Sequence, residues 1–188
     1  MADARIYSVH AIVLKRRNIG ESDRVLTLFT KEYGKITVLA KGVRKIVSRR
    51  APHIEIFTQA TIMLHRAKTW DILTDAQTLS GYATLRKDLT KVSAAYFLCE
   101  IIDQLLPEHQ EHRDIYDFFR GALVELDTKS DLAILPFCQT KALTLLEQLG
   151  FASRLSPNKP QTLDEVQAMV ESVIEKRLRT PKLIRQLG

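Results

Sequence analysis

Apolar and polar positions alternate along the first eighty or so residues, then recur every three or four along the rest. Ile6–Leu14 (IYSVHAIVL) is rich in β-branched and aromatic residues and too poorly periodic for a helix, so a strand is expected. Lys15-Arg16-Arg17 and Asn18–Asp23 read as the turn that follows, with Gly20 able to take positive φ and Ser22 and Asp23 able to bond local backbone. Arg24–Thr30 (RVLTLFT) and Lys35–Ala40 (KITVLA) form two strands joined by Lys31–Gly34, a tight hairpin connection. Pro52 closes the next segment. Ile54–Leu64 (IEIFTQATIML) alternates as a fourth strand, and Trp70–Leu79 (WDILTDAQTL) is a fifth. Five short strands with no helix between most of them predict a meander or a small barrel, and closure is favoured because an open sheet would expose long edges.

At Tyr82–Leu85 the period changes. Leu89, Val92, Ala95, Tyr96, Leu98, Cys99, Ile102, Leu105 and Leu106 mark an amphipathic helix over Leu85–Leu106, stopped by Pro107. Pro107–His112 is a polar connector, and Arg113–Leu126 repeats the helical spacing. Asp131 is the expected cap of a third helix, with Pro136 tolerated in its first turn and Gly150 ending it. Ala152–Gln161 has the chemistry of a loop. Thr162 and Glu165 have capping-box spacing before a last long helix carrying Val166, Met169, Val170, Val173 and Ile174. Pro181 interrupts that helix, and Leu183, Ile184 and Leu187 suggest a short terminal one. The expected class is α+β, a five-stranded barrel over residues 1–80 followed by an all-α domain over residues 81–188.

Charge distinguishes the two parts. The chain of 188 residues carries a net +6, but residues 1–70 hold 14 Lys and Arg against 5 Asp and Glu, a balance of +9. The remainder is mildly acidic, at −3. No acidic residue lies between Lys35 and Ile54, and Lys41, Arg44, Lys45, Arg49 and Arg50 are spaced there by small and aliphatic residues. A positive run leaving a strand is what a phosphate-tracking surface needs. Among small five-stranded barrels the OB-fold suits a basic face best. Aromatic stacking candidates are few (Tyr7, Phe29, Tyr33 and Phe57), which favours backbone binding over sequence readout.

Other chemistry is sparse. Cys99 and Cys138 each lie in an apolar helical pattern and read as buried thiols, and without a CxxC pair a zinc site of the usual spacing is not expected. His109-Gln110-Glu111-His112 lacks the spacing of either HExxH or HxxEH and falls in a connector. Neither a nucleophile elbow, a P-loop nor a dinucleotide fingerprint occurs, so no catalytic residue, metal or cofactor is expected. A non-enzymatic role is the reading that follows. Two alternatives stand beside it, an OB-type RNA-binding protein and a metal-dependent nuclease using Glu21 and Asp23. The N-terminus has no long apolar run and no stretch is long enough to span a bilayer, so a soluble intracellular protein is expected.

The order AIVLKRRNIGESDRVLTLFTKEYGKITVLAKGVRKIVSRR resembles the N-terminal domain of the RecO family of bacterial recombination mediators. The elements that carry it are the opening strand, G-E-S-D before an aliphatic strand, T-x-x-x-G-K, and K-G-x-R leading to Ser-Arg. PFCQTKALTLLEQLGF is similar to the family's helix ending in a Leu-x-x-x-Gly turn, and LRTPKLIRQL to its closing helix. Many members carry a Cys-bearing, sometimes zinc-binding insert after that turn. Here only Ala152–Gln161 stands in its place, which implies a short, metal-free form. The resemblance implies an OB-fold barrel and a helical domain that bind single- and double-stranded DNA, anneal complementary strands and, with RecR, help RecA load onto DNA coated with single-strand-binding protein. It implies a cytoplasmic, nucleoid-associated protein that makes and breaks no bond. Arg24, Lys35, Lys41, Arg44, Lys45 and Arg49 are the first-choice DNA contacts, with Arg16, Arg17 and Arg50 next. The acidic tail of single-strand-binding protein would need an apolar pocket with a basic rim, for which Arg113, Arg120 and Lys141 are candidates.

Overall fold

A computed structural model describes residues 5–151, 162–180 and 184. The loop expected over Ala152–Gln161 and most of the short helix expected around Leu183 and Leu187 lie outside the described residues. The chain divides into two compact units, Met1–Tyr82 with Leu106–Arg120, and Ala83–Leu105 with Gly121–Gly188.

The first unit is a closed barrel of β1 (Ile6–Ile19), β2 (Asp23–Thr30), β3 (Gly34–Ala40), β4 (Gln59–His65) and β5 (Asp71–Ser80), ordered β1-β2-β3-β5-β4. All pairs are antiparallel except β3 and β5, which run parallel at Val38↔Asp71 and Leu39↔Ile72. Closure depends on β1. Its first half pairs with β4 from Ile6↔His65 to Ile12↔Gln59, and its second half with β2 from Ala11↔Thr30 to Ile19↔Asp23. A bulge between Val13 and Lys15 lets the strand turn from one partner to the other. Lys15-Arg16-Arg17, expected in a turn, therefore continue the strand opposite Thr27, Leu26 and Val25. The turn itself is confined to Gly20–Ser22.

Alternation sorts the side chains as the sequence implies. Val9, Ala11, Val13, Leu26, Leu28, Ile36, Val38, Ile62, Leu64 and Leu73 fill the interior. The opposite face of β1 and β2 is also buried, because residues 106–120 cover it. Phe29 meets Tyr116 at 5.7 Å and Phe119 at 6.5 Å between ring centroids. The covering segment is clasped at the β2–β3 hairpin. His109 N–H donates to the Lys35 carbonyl (2.8 Å), Thr37 Oγ1 to Glu108 (2.7 Å), and Lys31 Nζ lies 3.3 Å from Asp117. Gly34 takes φ +67°, and a Cβ there would sit 1.7 Å from the Gln110 carbonyl oxygen, so the clasp requires glycine.

A fourth strand was expected to begin at Ile54. Instead Ala51–Ile54 is a turn of 3₁₀ helix with Pro52 in its first positions, and β4 starts at Gln59. Ile54 and Phe57 are buried although they lie outside the strand, and Phe57 N–H donates to the Val13 carbonyl of β1 at 2.8 Å.

In the second unit, α1 (Leu89–Leu105) is buried almost all round and packs against α3 (Ile134–Gln148) and α4 (Leu163–Ile174). Asp88 caps α1 by accepting from the Thr90 and Lys91 amides, so the α-helix starts after Leu85–Lys87, a separate 3₁₀ turn. α2 (Arg113–Thr128) begins in the first unit and ends in the second. α3 begins after Ala133 with no side-chain cap, not at Asp131. Thr162 does cap α4, accepting from Glu165 N–H at 3.3 Å. That helix stops at Ile174 because Glu175 turns left-handed (φ 53°), well before Pro181. Glu100 of α1 accepts from the amides of Arg179 and Thr180, both at 2.8 Å, and so ties the segment after α4 to the unit. Both cysteines are buried and unpaired, and burial pushes the Cys138 thiol up to about 12. Among the described residues no helix is long and apolar enough to cross a membrane.

Candidate nucleic-acid interface

The basic run of the sequence is the loop that leaves β3, residues 41–50, and it is held in place by its backbone. Asp23, at the start of β2, accepts the Gly42 amide at 2.7 Å and the Ser22 hydroxyl at 3.1 Å. The Gly42 amide, with smaller help from Ser22 and the nearby Lys41 and Lys45, holds the Asp23 carboxyl below its ordinary range. Arg44 N–H donates to the Ser22 carbonyl (2.9 Å) and the Arg44 guanidinium to the Gly20 carbonyl (3.2 Å), which joins the loop to the β1–β2 turn. Arg50 closes the far side, donating to the carbonyls of Leu73 (2.9 Å) and Lys41 (2.8 Å). Val43 and Ile54 plug the end of the barrel from within this region.

Anchored in this way, the loop forms an open groove of about 590 Å³ lined by Ser22, Asp23, Lys41, Gly42, Lys45, Val47, Ser48, Arg49 and Arg50. The anticipated cations fall into three groups. Lys41, Lys45 and Arg49 are exposed along the groove, and Arg44 is exposed beside it, bonded to the β1–β2 turn. Arg16 and Arg24 converge instead on one carboxylate, Glu55, with Arg24 Nη1 at 3.3 Å from it, while Arg17 stays exposed on β1. Lys35 stands apart. It is 8% exposed at the hairpin end of β3, where its carbonyl takes the His109 amide, so it does not join the loop cations.

Two features lie outside the anticipated set. Ile46 and Val47 at the loop tip are fully open to solvent. The β4–β5 turn contributes Arg66 and Trp70 to a second cavity of about 280 Å³. There the Arg66 guanidinium lies 4.8 Å from the centre of the Tyr7 ring, and Tyr7 packs edge-on to Tyr33 at 5.3 Å. Burial and the hydrogen bond to Asp71 raise the Tyr7 hydroxyl well above its ordinary range. The sequence signal for this corner was Trp70 in a cation-bearing turn.

Of the candidate tail-binding cations, Arg113 pairs with Glu111 (2.5 Å) and Arg120 with Asp117 (3.7 Å), both in the first unit. Lys141, in the second, pairs with Glu125 (2.7 Å). An apolar cavity of about 420 Å³ between the start of α3 and the start of α4 has Asp164 at its edge and no cation among the described residues lining it. Glu21 is exposed, and Asp23 is engaged with the loop as described. No cluster of three His, Cys, Asp or Glu capable of holding a metal occurs among the described residues.

A closed five-stranded barrel with one parallel β3–β5 contact and a cationic loop seated on its β1–β2 turn, followed by helices, defines an OB-fold protein with an α-helical domain. Comparison with known proteins is more specific. The family model "Recombination protein O N terminal" matches residues 1–82, and "Recombination protein O C terminal" matches residues 86–158. The DNA repair protein RecO of Roseiflexus sp. is 35% identical over 153 residues, covering 80% of this chain and 52% of that protein. The Desulfitobacterium hafniense protein of that name is 36% identical over 150 residues (80% and 54%), and the Thermoanaerobacter one 33% over 153 residues (80% and 60%). The chain belongs to the RecO family. It spans about half to three-fifths of the length of these relatives.

Proposed function

We propose that the loop groove binds the phosphate backbone of single- and double-stranded DNA, and that the protein acts in DNA repair as a non-enzymatic recombination mediator. The observation that carries this reading is the ordered loop itself. Lys41, Arg44, Lys45 and Arg49 are exposed on a segment fixed by Asp23, Ser22 and Arg50. Cations presented on a fixed backbone neutralise phosphates with little ordering cost and gain from counterion release. Without base-edge readout, the bound strand keeps its pairing edges free. Neutralising two strands at once lowers their repulsion, which is the physical requirement of strand annealing. The helical unit, RecR and the acidic tail of single-strand-binding protein belong to the same proposal as partners in loading RecA. Arg16, Arg17 and Arg24 extend the positive field without being primary contacts, and nucleoid association would follow from it.

The test is a titration of labelled oligonucleotide across salt. Four neutralised phosphates give a slope of log K against log salt of roughly −3 on single strands. Reversing Arg44, Lys45 and Arg49 to Glu together should abolish binding and annealing while the unfolding curve is retained. Absence of binding by the wild-type protein even at low salt would refute the reading.

A further inference from the structure

The tip of the basic loop carries two adjacent aliphatic residues in an unusual setting. Ile46 is 104% and Val47 85% exposed, whereas the other exposed large apolar residues among the described residues lie between 38% and 61%. Isolated apolar residues on a surface need no explanation, but an almost uncovered pair at the apex of a loop does. The backbone holds the pair outward. Lys45 N–H donates to the Gly42 carbonyl (3.2 Å) and Ser48 N–H to the Lys45 carbonyl (2.9 Å), two successive turns with Ile46 and Val47 inside the second. On either side stand Arg44, Lys45 and Arg49, and Val47 itself lines the groove.

We propose that Ile46 and Val47 form a wedge that packs against and between nucleobases while the flanking cations hold the phosphates. This rests on the DNA-binding reading above and extends it from the backbone to the bases. Aliphatic side chains pushed between base steps unstack them and are indifferent to sequence, because every base offers an apolar face. Charge complementarity selects this occupant: a ligand must meet cations on both flanks and an apolar surface between them, the layout of a strand with phosphates outside and bases within. A bilayer surface shares that chemistry in outline. However, two short side chains hold fewer carbons than a single myristoyl chain, itself only a marginal anchor. Unstacking would also suit annealing, since a strand freed of its own stacks is ready for a complement.

The test compares wild type with an Ile46→Ser/Val47→Ser variant on labelled oligothymidylate and on an abasic deoxyribose-phosphate chain of equal length. Both substituted side chains are solvent-exposed, so folding is retained, which a thermal scan checks. The wedge predicts roughly tenfold weaker binding to the oligonucleotide, no change on the abasic chain, and an unchanged salt slope. It also predicts that a fluorescent adenine analogue in the strand brightens with wild type and not with the variant. Equal affinity of the two proteins for the oligonucleotide, with binding otherwise intact, overturns the wedge and leaves the backbone site standing. Binding to phosphatidylglycerol vesicles that the variant alone loses, with oligonucleotide affinity unchanged, overturns it in favour of a membrane contact. Failure of wild type on both nucleic-acid probes overturns the wedge together with the DNA-binding reading.

Discussion

Arg50 offers a sharp separation between a structural cation and a ligand-binding one. In sequence it closes the basic run and looks like one more phosphate contact. In the structure its two guanidinium nitrogens reach the carbonyls of Leu73 and Lys41, so its charge is spent on holding the loop to β5 and to itself. Hydrogen bonds from a charged donor contribute about 1.5–3 kcal/mol each when well buried. Discounted for partial exposure, the pair comes to about 2 kcal/mol, so Arg50→Ala should lower the stability of the barrel unit by that amount in urea denaturation. Arg50→Lys should recover less than half, because one ammonium cannot reproduce the planar fork. DNA affinity of Arg50→Ala should fall about threefold to tenfold, as binding must then order the loop, while the salt slope stays at the wild-type value. The reasoning is refuted if Arg50→Ala leaves the denaturation curve unchanged and lowers the slope by about 0.7, the signature of one lost phosphate contact.

Three further outcomes follow from the same geometry. Gly34→Ala should destabilise the protein by roughly 2–4 kcal/mol in thermal unfolding, since a left-handed backbone and a collision with the Gln110 carbonyl act together. Phe29→Ala should cost about 3–5 kcal/mol by removing the ring that Tyr116 and Phe119 cover. Because the folded Asp23 carboxyl titrates below its unfolded value, its hold on Gly42 contributes fully above the ordinary carboxylate range and is lost as pH falls through the lowered value. The protection of the Gly42 amide against hydrogen exchange, taken relative to an unprotected chain at the same pH, should therefore fall on acidification, and Asp23→Ala should show low protection at every pH.

Much of the barrel was legible because its strands obey a period of two. β2, the hairpin and β3 were read nearly to the residue, and so was β5. β1 was cut short because Lys15-Arg16-Arg17 has the composition of a turn. Its charges are compatible with a strand because Arg16 finds Glu55 and Arg17 faces solvent. Ile54–Phe57 was misread for the opposite reason: an alternating apolar quartet can plug a barrel end from a loop as well as line a strand. At the site, composition located the loop but could not sort its cations. The partners of Arg50 are backbone carbonyls 9 and 23 residues away, and one partner of Arg24 is a carboxylate 31 residues away. Lys35 was grouped with the others by nearness along the chain, although β3 carries it to the far end. Ile46 and Val47 passed as spacers, since exposure cannot be read from a short aliphatic pair.

The return of residues 106–120 to the barrel unit has a consequence for how the protein is made. The N-terminal family match ends at residue 82, where the strand pattern ends. Yet the outer face around Phe29 is covered by Tyr116 and Phe119, and the clasp at Gly34 is completed by residues 108–110. During synthesis the five strands emerge from the ribosome with one apolar flank open. That flank closes only after a first stretch of the second unit, Ala83–Leu105, has also been released. The interval is a window in which the nascent barrel is sticky and its β2–β3 hairpin unclasped, the situation in which chaperones hold unfinished chains. A pause in translation before residues 106–120 have left the ribosome would lengthen that exposure, and one after they have left it would not.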